Sequence, residues 1–431
     1  MAKVLTAFMA GTAFCIAGGC TLLRSGPEQP SQPPAPAQPP VTFELRVSGL
    51  PADGMWKCDP ALVDINDDGL ADLAALPRLG WGPRVWLASR DGSWSNASVG
   101  LRTKRRSCGG GVDFGDVNGD GLVDLVVGDH CQGLFVYLRD GSHGWTEGAA
   151  SLHPGLVEPG DPDASLYVGA EDVTLGDVNG DGFADMVAGA SDHGGMNLYL
   201  GDGTGTGWTW VPTPFSSATS NWANRVLLVD VNQDGRLDLV ASAGQGPRVW
   251  VQDDEAGWKL ESRGLPSPIV NGLYGAIAAA DLNADGRTDL ATANWIDGPE
   301  VYLQMDDGSW HKTPDVFPQM LGGATGLSIG DFNKDGWPDL VVSGRLARTG
   351  GCVRGVFLLM GLGDGKWRYV ANSGLPSTGL LATPGVAVGD VDGDGSLDVA
   401  ASSGLIVETV PGANAPSIPQ RVLVWKGHPT R

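Results

Sequence analysis

One nine-residue pattern, D-x-[ND]-x-D-G-x-x-D, occurs seven times between residues 64 and 398, and it limits the possible folds more than any other feature. Its copies hold Asp64, Asn66, Asp68 and Asp72; Asp116, Asn118, Asp120 and Asp124; Asp177, Asn179, Asp181 and Asp185; and Asp230, Asn232, Asp234 and Asp238. Three more hold Asp281, Asn283, Asp285 and Asp289; Asp331, Asn333, Asp335 and Asp339; and Asp390, Asp392, Asp394 and Asp398. Successive copies start 52, 61, 53, 51, 50 and 59 residues apart. A period of that size is the mark of a repeat architecture rather than of two or three unlike domains.

The spacing carries chemistry. Oxygen donors at positions 1, 3 and 5 converge when the chain wraps one ion. Glycine at position 6 allows the sharp turn, position 7 offers its carbonyl, and the carboxylate at position 9 closes the cage. Carboxylates with an amide and a carbonyl oxygen suit Ca²⁺, which accepts irregular coordination, better than Mg²⁺ with its strict octahedron. No copy has the Cys or His that zinc prefers. The expectation is up to seven structural Ca²⁺ ions. A catalytic metal would need an open position beside an acid or base, and no loop is marked out in that way.

The flanks are not helical. A short apolar run precedes each loop, another follows it, and a third carries an aromatic, as in Val249-Trp250-Val251. After a Gly/Asp turn, a tryptophan opens a fourth run: Trp94, Trp145, Trp208, Trp258, Trp310 and Trp367. Four such runs make one four-stranded antiparallel unit. Seven units around an axis predict an all-β, seven-bladed propeller, which closes radially and so protects its edges. There are seven loops but six such tryptophans. The missing outer strand is found at the start, where Phe43 to Pro51 aligns with Trp258 to Pro266. Residues 42–48 are therefore expected to complete the last blade, whose own sequence stops after its third run.

These loops and flanks resemble the FG-GAP/VCBS repeats of integrin α-chain propellers and many bacterial surface proteins, most closely in Val112-Asp113-Phe114-Gly115-Asp116-Val117-Asn118-Gly119-Asp120-Gly121. The resemblance runs from residue 42 to about 427. It implies Ca²⁺ in the hairpin between the first two strands of each blade. Asp392 departs from it, standing where the other loops have Asn. Activity does not follow from the fold.

The face away from the loops is expected to carry specific binding. Trp81, His130, His193, Trp222, Tyr274, Trp295 and Arg345 fall on connections there, together with long irregular segments near 146–171 and 403–421 and a basic one at 345–354. Aromatic rings beside polar groups suit a carbohydrate or protein ligand. No catalytic residue is assigned, because H-E-x-x-H, G-x-S-x-G and phosphate-binding glycine loops are all absent. The expected role is a surface binding or adhesion module, with a polysaccharide lyase or hydrolase as the alternative. A monomer is expected.

The N-terminal segment reads as address and tether. Residues 1–19 pair one Lys with an apolar stretch ending in small residues, as an export signal does. Ile16-Ala17-Gly18-Gly19-Cys20 resembles a bacterial lipobox, which implies lipidation of Cys20 and an outer-membrane or cell-surface address. The proline-rich stretch within 20–41 is expected to be a semi-rigid spacer, and 428–431 a short tail. The lipid would be the sole membrane attachment. Of the remaining cysteines, Cys108 and Cys131 fall at the same end of one hairpin and are expected to pair; Cys58 and Cys352 are left open. The net charge of −22 argues against nucleic-acid binding, and the repeated aspartates account for most of it.

Overall fold

The structure, a computed structural model, describes residues 40–52, 54–102, 106–141, 144–152, 169–190, 195–216, 223–243, 246–253, 257–266, 274–314, 323–348, 351–363, 365–380, 385–404 and 421–429. It is a seven-bladed β-propeller. Each blade is a four-stranded antiparallel sheet, and in six of the seven the strands run in sequence order from the axis outward. Blade 1 runs Ala61–Val63, Asp72–Ala75, Arg84–Ala88 and Trp94–Asn96. The other inner strands are Gly110–Gly115, Ala170–Gly176, Ala223–Val229, Tyr274–Ala280, Ala324–Gly330 and Val386–Gly389. Each packs against the next, and the seventh returns to the first, so the ring is closed. Among the described residues no helix is long and apolar enough to cross a membrane.

Blade 7 is composite. Its inner strands Val386–Gly389, Asp398–Ala401 and Leu423–Pro429 come from the end of the chain, and its outer strand is Val41–Leu45. The register pairs Val41 with Pro429 and Leu45 with Trp425. Strands this short and β-branched cannot stand alone. They persist because both faces of each blade are buried against neighbours, and second strands such as Asp124–Asp129 are buried throughout.

One clasp recurs between blades. A glycine just after an outer strand takes a positive φ: Gly49 (91°), Gly100 (94°), Gly264 (96°) and Gly374 (94°). A Cβ there would lie 1.9–2.2 Å from the carbonyl oxygen of Trp94, Trp145, Trp310 and Phe43 respectively, on the next blade. In return those four residues donate their backbone N–H groups to Ser48, Val99, Arg263 and Ser373, at 2.7–2.9 Å. Phe43 thus does for blade 7 what the strand-opening tryptophan does for blades 1, 2 and 5. It meets Phe332 edge-on at 5.7 Å.

Two segments differ from the sequence expectation. Trp145 opens an outer strand as expected, but residues 146–152, expected as the start of an irregular segment, continue it as Trp145–Leu152, held with two register shifts. The basic segment 345–354 is a continuation of a hairpin, with Arg345 opposite Arg354 and Arg348 opposite Gly351. Alternation of Leu346 and Val353 with arginines is a strand pattern, and ladder pairing satisfies backbone groups that a loop would leave to water.

Candidate functional site

The seven acidic loops join first to second strands and so lie at one end of the ring. In all of them the position-1 aspartate accepts the N–H of the position-6 glycine at 2.7–2.9 Å. The position-5 aspartate accepts the N–H of position 7. Position 9 has a second task. Its Oδ2 accepts the N–H of position 2 at 2.8–3.1 Å. Its Oδ1 accepts an N–H of the third strand at 2.7–3.0 Å. Asp72, Asp124, Asp185, Asp238, Asp289, Asp339 and Asp398 are all fully buried.

Burial pushes these carboxyls up, to about 6 for Asp72, Asp124, Asp238 and Asp289 and about 7 for Asp339 and Asp398, with the aspartates at positions 1 and 5 or 3 adding to the rise. The donated N–H groups only partly offset that rise. A divalent cation held among these oxygens would reverse the balance. The donor set fits one. Each ionised carboxylate still has free lone pairs beyond its two N–H partners. In the first loop the Oδ1 of Asn66 is buried without a hydrogen-bond partner. In the last, Asp390, Asp392 and Asp398 bring oxygens within 4.8 Å of one another.

The last loop is built differently. In the other six, the amide of the position-3 asparagine donates to the position-5 carboxylate at 2.8–3.1 Å. Asp392 cannot donate. Lys426 of the third strand does so instead, its ammonium bonded to Asp392 and, at 3.0 Å, to Asp394. The other blades have Leu87, Leu138, Leu200, Val251, Leu303 and Met360 at that register. The added lysine balances the added acid, so the four ligand positions with Lys426 carry the same formal charge as three aspartates and an asparagine do elsewhere.

The opposite end is not repeated. Trp81 is exposed on the second-to-third-strand connection of blade 1, with the Arg102 guanidinium 5.6 Å from its ring centre. His130 donates through Nδ1–H to the Glu171 carboxylate, which also accepts from Lys57 Nζ at 2.9 Å; this trio links blades 1, 2 and 3. Attraction to these two partners holds the Glu171 carboxyl well below the usual range against strong desolvation. Cys108 and Cys131 form a disulfide beside it. Trp295 and Arg345 meet where blades 5 and 6 adjoin, Arg345 Nη2 donating to the Trp295 carbonyl at 3.0 Å. Tyr274 faces inward instead: it is buried, and its hydroxyl donates to Glu300 at 3.2 Å. His193, Trp222 and Cys20 lie outside the described residues, as does the side chain of Cys352. Cys58 is a buried free thiol pushed up to about 12 by desolvation.

Sequence reading missed a charged group on the axis. Five residues before each loop, in or just before the inner strand, stand Asp59, Asp172 and Arg225 in blades 1, 3 and 4, and glycine or alanine in the other four. Arg225 Nη1 pairs with Asp59 at 3.1 Å and its Nε faces Asp172 at 3.6 Å. Aligning the seven repeats on their loops would have exposed this break in the pattern.

The FG-GAP-like repeat pattern matches residues 64–127, 116–188, 177–241, 230–292 and 281–342, more than half the chain. Integrin alpha-IIb of Homo sapiens is 30% identical over 151 residues, which are 28% of this chain and 14% of that protein. Cartilage acidic protein 1 of Xenopus tropicalis is 25% identical over 284 residues, 59% of this chain and 42% of that one. The chain thus spans less than half the length of either relative. Among solved structures, the BBS1N chain crystallised in complex with ARL6DN superposes with a TM-score of 0.56 at 10% identity, covering 92% of this chain and 98% of the other. That likeness concerns the fold alone.

Proposed function

This chain belongs to the FG-GAP-like repeat family, and from that premise we propose that it is a calcium-stabilised binding module displayed on a bacterial surface. On this reading residues 1–19 are removed on export, lipidated Cys20 and the spacer to residue 41 hold the ring off the membrane, and residues 42–427 are the propeller. Ca²⁺ would sit among positions 1, 3, 5, 7 and 9 of the acidic loops, folding hairpins whose carboxylates otherwise repel.

One observation carries the assignment of the binding face. Hydrogen bonding at the acidic end repeats from blade to blade, which is what a structural device requires. Single-copy groups, the exposed Trp81 with Arg102 and the half-buried Trp295 with Arg345, lie at the other end. A ring combining an aromatic face with a cation is suited to a sugar or to a protein side chain, stacking supplying area and the polar groups orientation.

The test is retention of the Ca²⁺-loaded protein on a glycan array and on surface-protein arrays, with product analysis. Retention without cleavage, weakened by Trp81→Ala or Arg345→Ala, is the expected result. Release of shortened glycans would instead assign a polysaccharide-acting enzyme. Absence of retention on either array would defeat the binding reading.

A further inference from the structure

Two short segments at the end away from the acidic loops run against the acidic character of the chain. Residues 78–84 and 102–106 hold six of its 28 Lys and Arg and no Asp or Glu. The first spans the turn from the second to the third strand of blade 1, and the second leads toward the inner strand of blade 2. The backbone brings them together, Ser107 donating its N–H to the Gly80 carbonyl at 2.9 Å. Arg102 sets its guanidinium 5.6 Å from the centre of the Trp81 ring. Arg78, Arg84, Arg102 and Arg106 are the four basic residues of these segments that the structure describes; the first two are half-buried and the last two exposed.

These cations are uncommitted. Elsewhere Arg46, Lys57, Arg225, Arg263 and Lys312 each face a carboxylate within 3.3 Å. Among the described residues, none of the four arginines has such a partner. Leu79 and Trp81 stand among them, 54% and 42% exposed. The turn that carries both is tightly built: at Gly80 a Cβ would fall 2.2 Å from Pro77 Cγ, and Pro77 is bridged to Trp56. A ring presented on such a turn is already ordered, so binding to it costs little entropy.

The net charge of −22 does not cancel this patch. Its main source is the acidic loops at the other end of the ring. A second strand of six residues, Asp124–Asp129, separates the two ends by about 17 Å, roughly twice the Debye length at physiological salt. The patch therefore acts through its own field. A guanidinium fork matches a carboxylate or a sulfate with two parallel N–H donors, and an indole offers area to a sugar ring. A stable protein interface needs roughly 800 Å² per partner around an apolar centre. Two exposed large apolar side chains among four arginines do not supply that centre. We infer that the ligand of this face is an anionic polysaccharide, its carboxylates or sulfates on Arg78, Arg84, Arg102 and Arg106 and a sugar ring on Trp81. Such a ligand presupposes the binding role proposed above and narrows it to one chemical class.

The probes are hyaluronate, which carries carboxylates, and dextran sulfate, which carries sulfates, with neutral dextran and duplex DNA as controls. Binding of the Ca²⁺-loaded full chain to each immobilised polymer is followed by surface plasmon resonance at two ionic strengths. Saturable binding to at least one anionic glycan is expected, weaker at the higher salt and absent on dextran. Arg102→Gln and Arg106→Gln should each weaken it by about tenfold, as for loss of a charged hydrogen bond. Lys259→Gln, on the outer strand of blade 4, should leave it unchanged. All three side chains are exposed, and an unchanged melt of each variant checks that it folds. Equal binding to dextran, or retention of a protein ligand alone, would overturn the anionic assignment and leave the binding role standing. Tighter binding to DNA than to either glycan, or unchanged affinity in both arginine variants, would overturn it as well. Retention of no glycan and no protein would sink both.

Discussion

Asp289 shows how a loop carboxylate also serves the sheet. Its oxygens accept the N–H groups of Leu282 at 3.0 Å and Gln304 at 2.8 Å in a fully buried setting. Asp289→Asn would turn an amide N–H toward a backbone N–H. It should cost about 2 kcal/mol in urea denaturation even under excess chelator, the penalty for an unsatisfied buried group. Asp285→Asn, at an exposed loop position, should be near neutral in chelator and destabilising only with Ca²⁺. Equal effects of the two variants in chelator would remove the structural role of position 9. Asp172 gives a pH signature. Its folded pKa near 7 lies above its unfolded value, so the native state takes up a proton first, and this residue adds stability as pH falls from about 7 toward 4. Asp172→Asn should flatten the stability–pH curve over that window and be relatively more stable above it. The acidic loops themselves were legible because their pattern lies within nine residues. The second task of position 9 was not, since its third-strand partner is 14–29 residues away. The axial acids were hidden too, lying at a register where glycine is the commonest residue.

Strands and clasps follow local rules, which is why most of them could be read. A tryptophan does open or immediately precede the body of each outer strand in blades 1 to 6, and the Gly49/Gly264 alignment correctly placed the outer strand of blade 7. The extension Asp339–Arg348 escaped because a charged, glycine-flanked segment reads as a loop until its partner strand is known. Gly264→Ala would force a Cβ to 2.0 Å from the Trp310 carbonyl at φ 96°. A loss of about 2–3 kcal/mol is expected, seen as a lower denaturation midpoint at an unchanged slope. Phe43→Ala, which keeps the backbone clasp but removes the ring packed on Phe332, should cost about 3–5 kcal/mol. Reducing the Cys108–Cys131 bond frees a loop of 23 residues and should cost about 3 kcal/mol; a smaller change would indicate that blade 2 holds that loop unaided.

For the whole ring, metal and fold are coupled through mass action. At a hundredfold excess over Kd each occupied loop adds about 2.7 kcal/mol, so chelation should lower the melting temperature sharply, as scanning calorimetry would show. An unchanged melt would refute calcium as the staple. The fold was legible because seven copies of one signal announce a closed ring. The ligand face was not, because features present once have no period to betray them. Joining the two ends of the chain in blade 7 also sets how the ring bears load. Val41 and Pro429 are partners at the same end of that ladder. Tension applied between them would unzip five residue pairs one after another, instead of shearing them together. The closure that resists heat should therefore yield to a modest pull along this line, and an optical-trap experiment should record one small early extension before the remaining blades give way.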